Sequence, residues 1–303
     1  MARLSVSGGH DLYWERHGAG HAPAMWLHGG PGSGLRAGHA ALFDIAHYDL
    51  VLFDQRGAGQ SRPSARTDLA ALEANTTADL IADIDALRIA CGWDRMLLCG
   101  GSWGSTLALA YAQAHPTRVS GLVLAGVATS TRNDFAWLYG HVGAVFPEAH
   151  EAYCAHVGVW DDPHACIAAY NAALRGAEAQ AAADAWVTWE LAIFDDHWRN
   201  QPDSAWANPA FRLGFARTCA HYFANGCFMA EGQILRDMPR IAHIPGTMIH
   251  SRFDPSCPLR GPWRLSRLWP AATLDVLPGT DHSALADVMT QRIRAATDRL
   301  AVG

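Results

Sequence analysis

The chain has 303 residues, of which 50% are hydrophobic, 17% charged and 10% aromatic, enough apolar material for one large core or two modest ones, which excludes a disordered chain. A formal charge of -6, a pI near 6.2 and the lack of any local arginine cluster leave no footprint for a polyanion, so nucleic acid is not an expected partner. No apolar run approaches the roughly 18 to 20 residues of a membrane span, and the opening MARLSVSGGHDLYWERHG has no signal-peptide apolar block, so no membrane partner is expected and the cytosol is the expected location.

Cys91, Cys99, Cys154, Cys166, Cys219, Cys227 and Cys257 are scattered without a CxxC pair and read as reduced thiols. The chain contains no lysine, all 23 of its Lys+Arg residues being arginine. Schiff-base and lysine-nucleophile mechanisms are thereby excluded. Sixteen histidines are present, but none falls in HExxH or Cys/His ligand spacing, so neither a metal nor any other cofactor is expected.

In chain order, strand-like apolar runs occur at Leu12 to Arg16, Ala24 to His28 and Leu50 to Asp54, followed by a helix over Thr77 to Ile89. Asn75 or Thr76 can cap that helix, whose Leu80, Ile84, Leu87 and Cys91 recur on one face. Further strands are expected at Met96 to Gly100, Ser120 to Ala125, Thr247 to Ser251 and Thr273 to Leu277. Strands alternating with helices specify an α/β fold with a mainly parallel sheet. The alternation stops near Thr131 and resumes near Ile244. The stretch between is Ala-rich, helical in composition and holds six of the twelve tryptophans: Trp137, Trp160, Trp186, Trp189, Trp198 and Trp206. It reads as an inserted helical lid whose aromatic residues form an apolar wall facing something other than its own core.

At Gly100-Gly101-Ser102-Trp103-Gly104 the strand MLLC turns into the helix STLALAYAQAH through the pattern G-x-S-x-G, the signature of a nucleophile elbow. The turn leaves no room for a Cβ at Gly100 and Gly104 and lifts the Ser102 hydroxyl clear of the sheet. A serine hydroxyl needs a general base, and the base needs a carboxylate to fix its tautomer. His282 in LPGTDHSAL and Asp254 in MIHSRFDPSCPL each follow an expected strand and complete the chain order Ser, Asp, His. The oxyanion formed on attack requires two N–H donors, each worth about 3 kcal/mol. One is assigned to the backbone of Trp103 and the other to Gly30 in His28-Gly29-Gly30-Pro31-Gly32, since Pro31 has no N–H.

With HGGPG at His28 to Gly32, DQRGAGQS at Asp54 to Ser61, GGSWGS at Gly100 to Ser105, WE at Trp189-Glu190, HYF at His221 to Phe223 and the segments around Asp254 and His282, the chain resembles the proline iminopeptidases nearly end to end. The resemblance implies an α/β-hydrolase fold, with a catalytic domain over 1–130 and 244–303 and a helical cap over 131–243. It implies removal of an N-terminal residue, typically proline, from a small peptide, amide or arylamide. It also implies that carboxylates of the cap read the free α-amine of the substrate, one of them being Glu190. The second falls on Cys219, which carries no charge unless it ionises, and ionisation is disfavoured beside Glu190. A weaker dependence on the free amine is therefore expected, with Glu231 as the alternative source of charge. Asp281 stands where the family commonly has glycine, and it is the alternative to Asp254 as the triad acid. Phe135, Trp137, Tyr139, Trp189 and Tyr222 are the expected aromatic residues of the substrate pocket. A hydrolase of another small amide, ester or lactone has the same signature, whether an amino-acid amidase or a biosynthetic hydrolase. A non-catalytic binding protein that kept the fold is the alternative from another class.

Overall fold

The computed structural model describes residues 2–194, 205–279 and 282–301. Eight strands form one sheet: β1 (Ala2–Ser5), β2 (Asp11–His17), β3 (Ala22–Leu27), β4 (Tyr48–Phe53), β5 (Met96–Gly101), β6 (Val119–Ala125), β7 (Gly246–Ser251) and β8 (Ala272–Leu277). Their order is β1-β2-β4-β3-β5-β6-β7-β8. β2 runs antiparallel to β1 and β4, and every other neighbouring pair is parallel. The seven strands expected from periodicity are all present. β1 was not expected: it is a four-residue edge strand with three exposed residues, so it carries no apolar alternation to read.

The pleat divides the core. Met25, Leu27, Val51, Phe53, Met96 and Leu98 face α1 (Thr77–Ala90) and α2 (Trp103–Ala114). Their sequence neighbours Ala24, Trp26, Leu50, Leu52, Leu97 and Cys99 face the last helix, as period-two strands buried on both faces must. At about 1.5 to 3 kcal/mol for each large side chain buried, a one-residue slip of any central strand would exchange the two layers and is strongly disfavoured. Thr76 caps α1, with Thr76 Oγ1 accepting from Asp79 N–H at 3.3 Å and Asp79 Oδ2 accepting from Thr76 N–H at 3.0 Å, a reciprocal capping box. Because β3 and β5 to β8 are parallel, the loops leaving their C-terminal ends gather along one edge of the sheet, where open α/β sheets hold their ligands.

Between β6 and β7 lie α3 (Arg132–Leu138), α4 (Pro147–Val157), α5 (Pro163–Ala173), α6 (Ala179–Ile193), α7 (Pro209–Ala224) and α8 (Gln233–Arg236). Most of the aromatic residues here pack on one another. The rings of Tyr153 and Tyr170 stack at 4.5 Å and 10°, and Tyr139 lies 4.7 Å from Trp186. Trp186 and Trp189 are fully buried in this cluster, whereas Trp160 is exposed. The expected wall of tryptophans facing something other than the lid's own core is thus corrected for Trp186 and Trp189, whose large rings are buried between these helices as their core, whereas Trp206 reaches the cavity beside Ser102. Trp198 lies outside the described residues. α9 (Arg260–Leu268) precedes β8, and α10 (Asp287–Ala301) closes the second face with Met289, Ile293 and Ala296.

Among the described residues no helix is long and apolar enough to cross a membrane, and no three His, Cys, Asp or Glu side chains are grouped to hold a metal ion. All seven cysteines are free.

Candidate active site

Ser102 sits between β5 and α2 with φ 54° and ψ -123°, a conformation that costs a non-glycine residue of order 1 to 3 kcal/mol. The surroundings hold it there: Ser102 N–H donates to Ala125 O at 2.9 Å, and its carbonyl accepts from Ser105 Oγ at 2.6 Å. A Cβ on Gly100 would lie 2.3 Å from Gly104 O, and one on Gly104 would lie 2.1 Å from Leu27 O. Only glycine permits this crossing of strand and helix. The positive end of the α2 dipole lies immediately beyond the serine.

Asp254 follows β7 and is held by two backbone amides, with its Oδ1 accepting from Ser256 N–H at 2.8 Å and Cys257 N–H at 3.0 Å. Its Oδ2 is 2.6 Å from His282 Nδ1. A carboxylate only accepts, so Nδ1 carries the proton and Nε2 is left as the basic nitrogen. Both residues are buried. Trp137 Nε1 donates to Pro255 O at 2.8 Å and so fixes the loop that carries the acid. Gly126 leaves room for the imidazole, since a Cβ there would be 3.2 Å from its ring. Asp281 lies outside the described residues.

The loop after β3 approaches the serine closely: a Cβ on Gly29 would be 3.2 Å from Ser102 Cβ. Gly29, Gly30, Ser102, Trp103 and His282 line one cavity. Among the described residues no backbone hydrogen bond uses the N–H of Gly30 or of Trp103, so both remain available to an oxyanion.

The far side of that cavity is formed by Phe135, Leu138, Glu190, Phe194, Trp206, Phe215 and Phe223. Glu190 is buried, and its Oε1 accepts from Tyr139 Oη at 2.6 Å and Trp186 Nε1 at 2.9 Å. Burial pushes its pKa up to about 7 against these two hydrogen bonds and the nearby His282, each of which favours the carboxylate.

Five expected pocket residues do not line the cavity. Tyr139 and Trp189 are fully buried behind it, Tyr139 holding Glu190 and Trp189 Nε1 donating to Leu138 O at 3.1 Å. Trp137 supports the Asp254 loop. Tyr222 packs edge-on against Trp103 at 5.0 Å, with its hydroxyl on Asn75 Oδ1 at 2.8 Å. Cys219 is wholly buried, its Sγ donating to Pro31 O at 3.1 Å, and burial together with Glu190 drives the thiol pKa far up. Each of these is fixed by a polar partner that its apolar neighbourhood would otherwise leave unsatisfied. Glu231 is also elsewhere, with its carboxylate on the Arg132 N–H at 3.2 Å. Conversely, Leu138, Phe194, Phe215 and Phe223 were missed. Helical spacing could have found three of them, because Phe194 is four residues from Glu190, and Phe215 and Phe223 are four residues either side of Cys219.

The family model of the α/β hydrolase fold matches residues 25–287 of the chain. A proline iminopeptidase of Xylella fastidiosa (strain 9a5c) is 43% identical over 301 residues, covering 97% of this chain and 94% of that protein. One from Arabidopsis thaliana is 38% identical over 98% of this chain and 78% of its own length. The chain belongs to the proline iminopeptidases of the α/β-hydrolase fold. Among solved structures, an enol-lactonase from Burkholderia xenovorans LB400 superposes with a TM-score of 0.66 at 20% identity, covering 100% of both chains. A thermophilic esterase from Thermogutta terrifontis reaches 0.68 at 17% identity, covering 99% of this chain and 100% of its own. These two share the fold alone with this member of the iminopeptidases, in which Cys219 stands where the resemblance implies a second carboxylate.

Proposed function

We propose that the protein is a serine aminopeptidase that releases an N-terminal proline, or another small residue, from short peptides and amides, with the cytosol as its place of action. The observation that carries this is the meeting of Ser102, the Asp254–His282 pair and the buried Glu190 at a single cavity. Ser102 Oγ attacks the carbonyl carbon as His282 Nε2 takes its proton, and the oxyanion is met by the N–H groups of Gly30 and Trp103. Collapse expels the amine, which takes its proton from His282. Water then loses a proton to the same nitrogen and attacks the acyl-enzyme, releasing the amino acid. Asp254 holds the tautomer and stabilises the imidazolium. Glu190, in its carboxylate form, pairs the substrate's ammonium inside an otherwise aromatic wall, where each charge offsets the desolvation of the other.

Residues 131–243 act in this scheme as a cap, with 1–130 and 244–303 as the catalytic domain. Glu190 on α6, Phe194 just past its end, and Phe215 and Phe223 on α7 supply the substrate's surroundings. The test is a panel of prolyl, alanyl and N-acylated arylamides with simple esters alongside, together with fluorophosphonate labelling of Ser102. Turnover of prolyl arylamide with labelling at Ser102 supports the proposal; labelling without any aminopeptidase turnover refutes the substrate. A second reading, hydrolysis of another small amide, ester or lactone, is favoured by one observation: Cys219 is an uncharged, buried thiol.

A further inference from the structure

Gln55 is buried beside the site, and neither the triad nor the substrate pocket uses it. Its side chain joins the two segments that carry the oxyanion donors. Trp103 Nε1 donates to Gln55 Oε1 at 3.1 Å, and Gln55 Nε2 donates to His28 O at 2.8 Å. An indole N–H only donates and a carbonyl only accepts, so the amide has one orientation that satisfies both.

The backbone of Gln55 extends the connection. Gln55 N–H donates to His28 Nε2 at 3.0 Å, while Nδ1 lies 2.9 Å from Gly29 O and 3.3 Å from the Gly34 N–H, so the ring is pinned between the segment that holds Gln55 and its own loop. Burial lowers the His28 pKa and favours the neutral ring. Ser33 Oγ donates to the same Gly29 carbonyl at 2.8 Å. Gly29 C=O and Gly30 N–H belong to one planar peptide, so fixing the carbonyl fixes the direction of the N–H. On the other side, the Trp103 indole is held at its edge by Gln55 and against its face by Tyr222.

We propose that Gln55 is a positioning residue that sets the separation and aim of the two oxyanion donors, Gly30 N–H and Trp103 N–H. The inference rests on the hydrolase mechanism given above. It assigns Gln55 no contact with substrate: its contribution appears only when a tetrahedral oxyanion forms, because that is when the position of the donors is felt.

The test is Gln55→Met, which keeps the side-chain length and removes both polar ends. Loss of one oxyanion donor costs about 10²–10³ in kcat, and misplacing donors that remain present is expected to lower kcat by about 10- to 100-fold with KM within about threefold. Affinity for a prolyl boronic acid, whose boron accepts Ser102 Oγ to give a tetrahedral anion, should fall by the same factor, while affinity for free proline stays within about twofold. A merely structural role would weaken both ligands together, and that outcome overturns the proposal, as does a wild-type kcat. Should Gln55→Met fail to fold, Trp103→Phe breaks the same bridge from its other end and leaves the backbone donor in place. It is expected to lower kcat and boronate affinity in parallel, by about 3- to 10-fold, and a wild-type kcat there overturns the proposal. Fluorophosphonate labelling separates the two levels. A wild-type protein that neither labels at Ser102 nor cleaves prolyl arylamide removes the mechanism and this inference with it, whereas a labelled, active wild type beside an unimpaired variant overturns the inference alone.

Discussion

The ring of Phe194 lies nearly parallel to the imidazole of His282, with centroids 5.7 Å apart and planes 18° apart. Phe194 caps the C-terminal end of α6, and its N–H donates to the carbonyl of Glu190 at 3.0 Å, so one helical turn links the buried carboxylate to His282, the proposed base. Replacing Phe194 by Ala removes apolar cover from both the base and the substrate. Losing packing worth about 1.5 kcal/mol corresponds to roughly tenfold, and kcat/KM for prolyl arylamide is expected to fall by about that factor, with most of the change in KM. Steady-state kinetics on the purified variant check this; an unchanged kcat/KM would remove Phe194 from the pocket.

The triad makes a sharper prediction. Ser102→Ala should abolish turnover and leave the fold intact, since the substitution deletes one oxygen from a position held by backbone contacts. Asp254→Asn should lower kcat by a factor on the order of 10⁴, because an amide facing His282 Nδ1 favours the wrong tautomer. The double variant Ser102→Ala/His282→Ala should be no worse than either single one. Circular dichroism and single-turnover assays measure the two halves. A nearly silent Asp254→Asn would transfer the acid role to Asp281.

The seven strands β2 to β8 and the elbow were legible because their signals are local: short apolar runs bounded by turn residues, and glycines that nothing else can replace. The meeting of Ser102, Asp254 and His282, the proposed triad, was legible because each follows a strand whose C-terminal end must lie on the same edge of a parallel sheet. The aromatic residues were not, since a ring between two helices has the same sequence pattern whether it faces a cavity or a neighbouring helix. Trp186 and Trp189 turned into a core of their own, while Phe215 and Phe223 reached the cavity. Cys219 shares their stripe on α7 and is covered by Pro31. The chain order Ser, Asp, His was a topological constraint; the direction of an aromatic side chain is decided by packing between segments far apart in sequence.

Glu190 should leave a pH signature in stability and in substrate choice. Its pKa, raised from 4.5 to about 7 by burial, means that the folded protein holds this proton more tightly than the unfolded chain. The stabilisation is complete below about pH 4.5 and is lost as pH rises through about 7, on the order of 3 kcal/mol in all. Glu190→Gln should flatten that part of the stability curve and raise the denaturation midpoint at pH 8. In catalysis the ionised form is the useful one. Wild-type kcat/KM for a free-amine arylamide, divided by that for an amine-free ester, should climb through pH 7, and Glu190→Gln should abolish the climb. Identical profiles for the two substrates in the wild type would mean that Glu190 does not meet the amine.

Tyr222 gives a test of supporting structure against binding. Its ring packs against Trp103 and its hydroxyl meets Asn75 Oδ1 in a wholly buried setting. Tyr222→Ala should therefore cost about 3 to 5 kcal/mol of stability, as large-to-small changes of buried aromatic residues do, and lower kcat through the loosened Trp103. Tyr222→Phe should cost about 1 to 3 kcal/mol, because it strands a buried acceptor. Urea titration and steady-state kinetics distinguish these outcomes. A variant of full stability with only KM raised would return Tyr222 to the pocket.

Cys219 decides how strictly the free amine is required. It lies between Phe215 and Phe223 on α7, the two residues that face the cavity, yet its own sulfur is turned to Pro31 O. Glu190 acts on its pKa, so a carboxylate grown from this position would share the Glu190 environment. With Glu190 alone the substrate ammonium has fewer charge-assisted hydrogen bonds, each worth about 1.5 to 3 kcal/mol. The wild type is thus expected to penalise N-acylated and amine-free substrates only modestly. Cys219→Glu should raise the preference for unblocked over N-acetylated prolyl arylamide by about tenfold or more. It should also lower stability, since two buried carboxylates repel when no ammonium lies between them and the longer side chain must displace the contact with Pro31. Cys219→Ser, which keeps a donor for Pro31 O, is the control and should leave the preference unchanged. Kinetics on the paired substrates provide the measurement. If the wild type already rejects every amine-free substrate by several orders of magnitude and Cys219→Glu shifts nothing, then Glu190 suffices by itself and the exchange of a carboxylate for Cys219 has no bearing on selectivity.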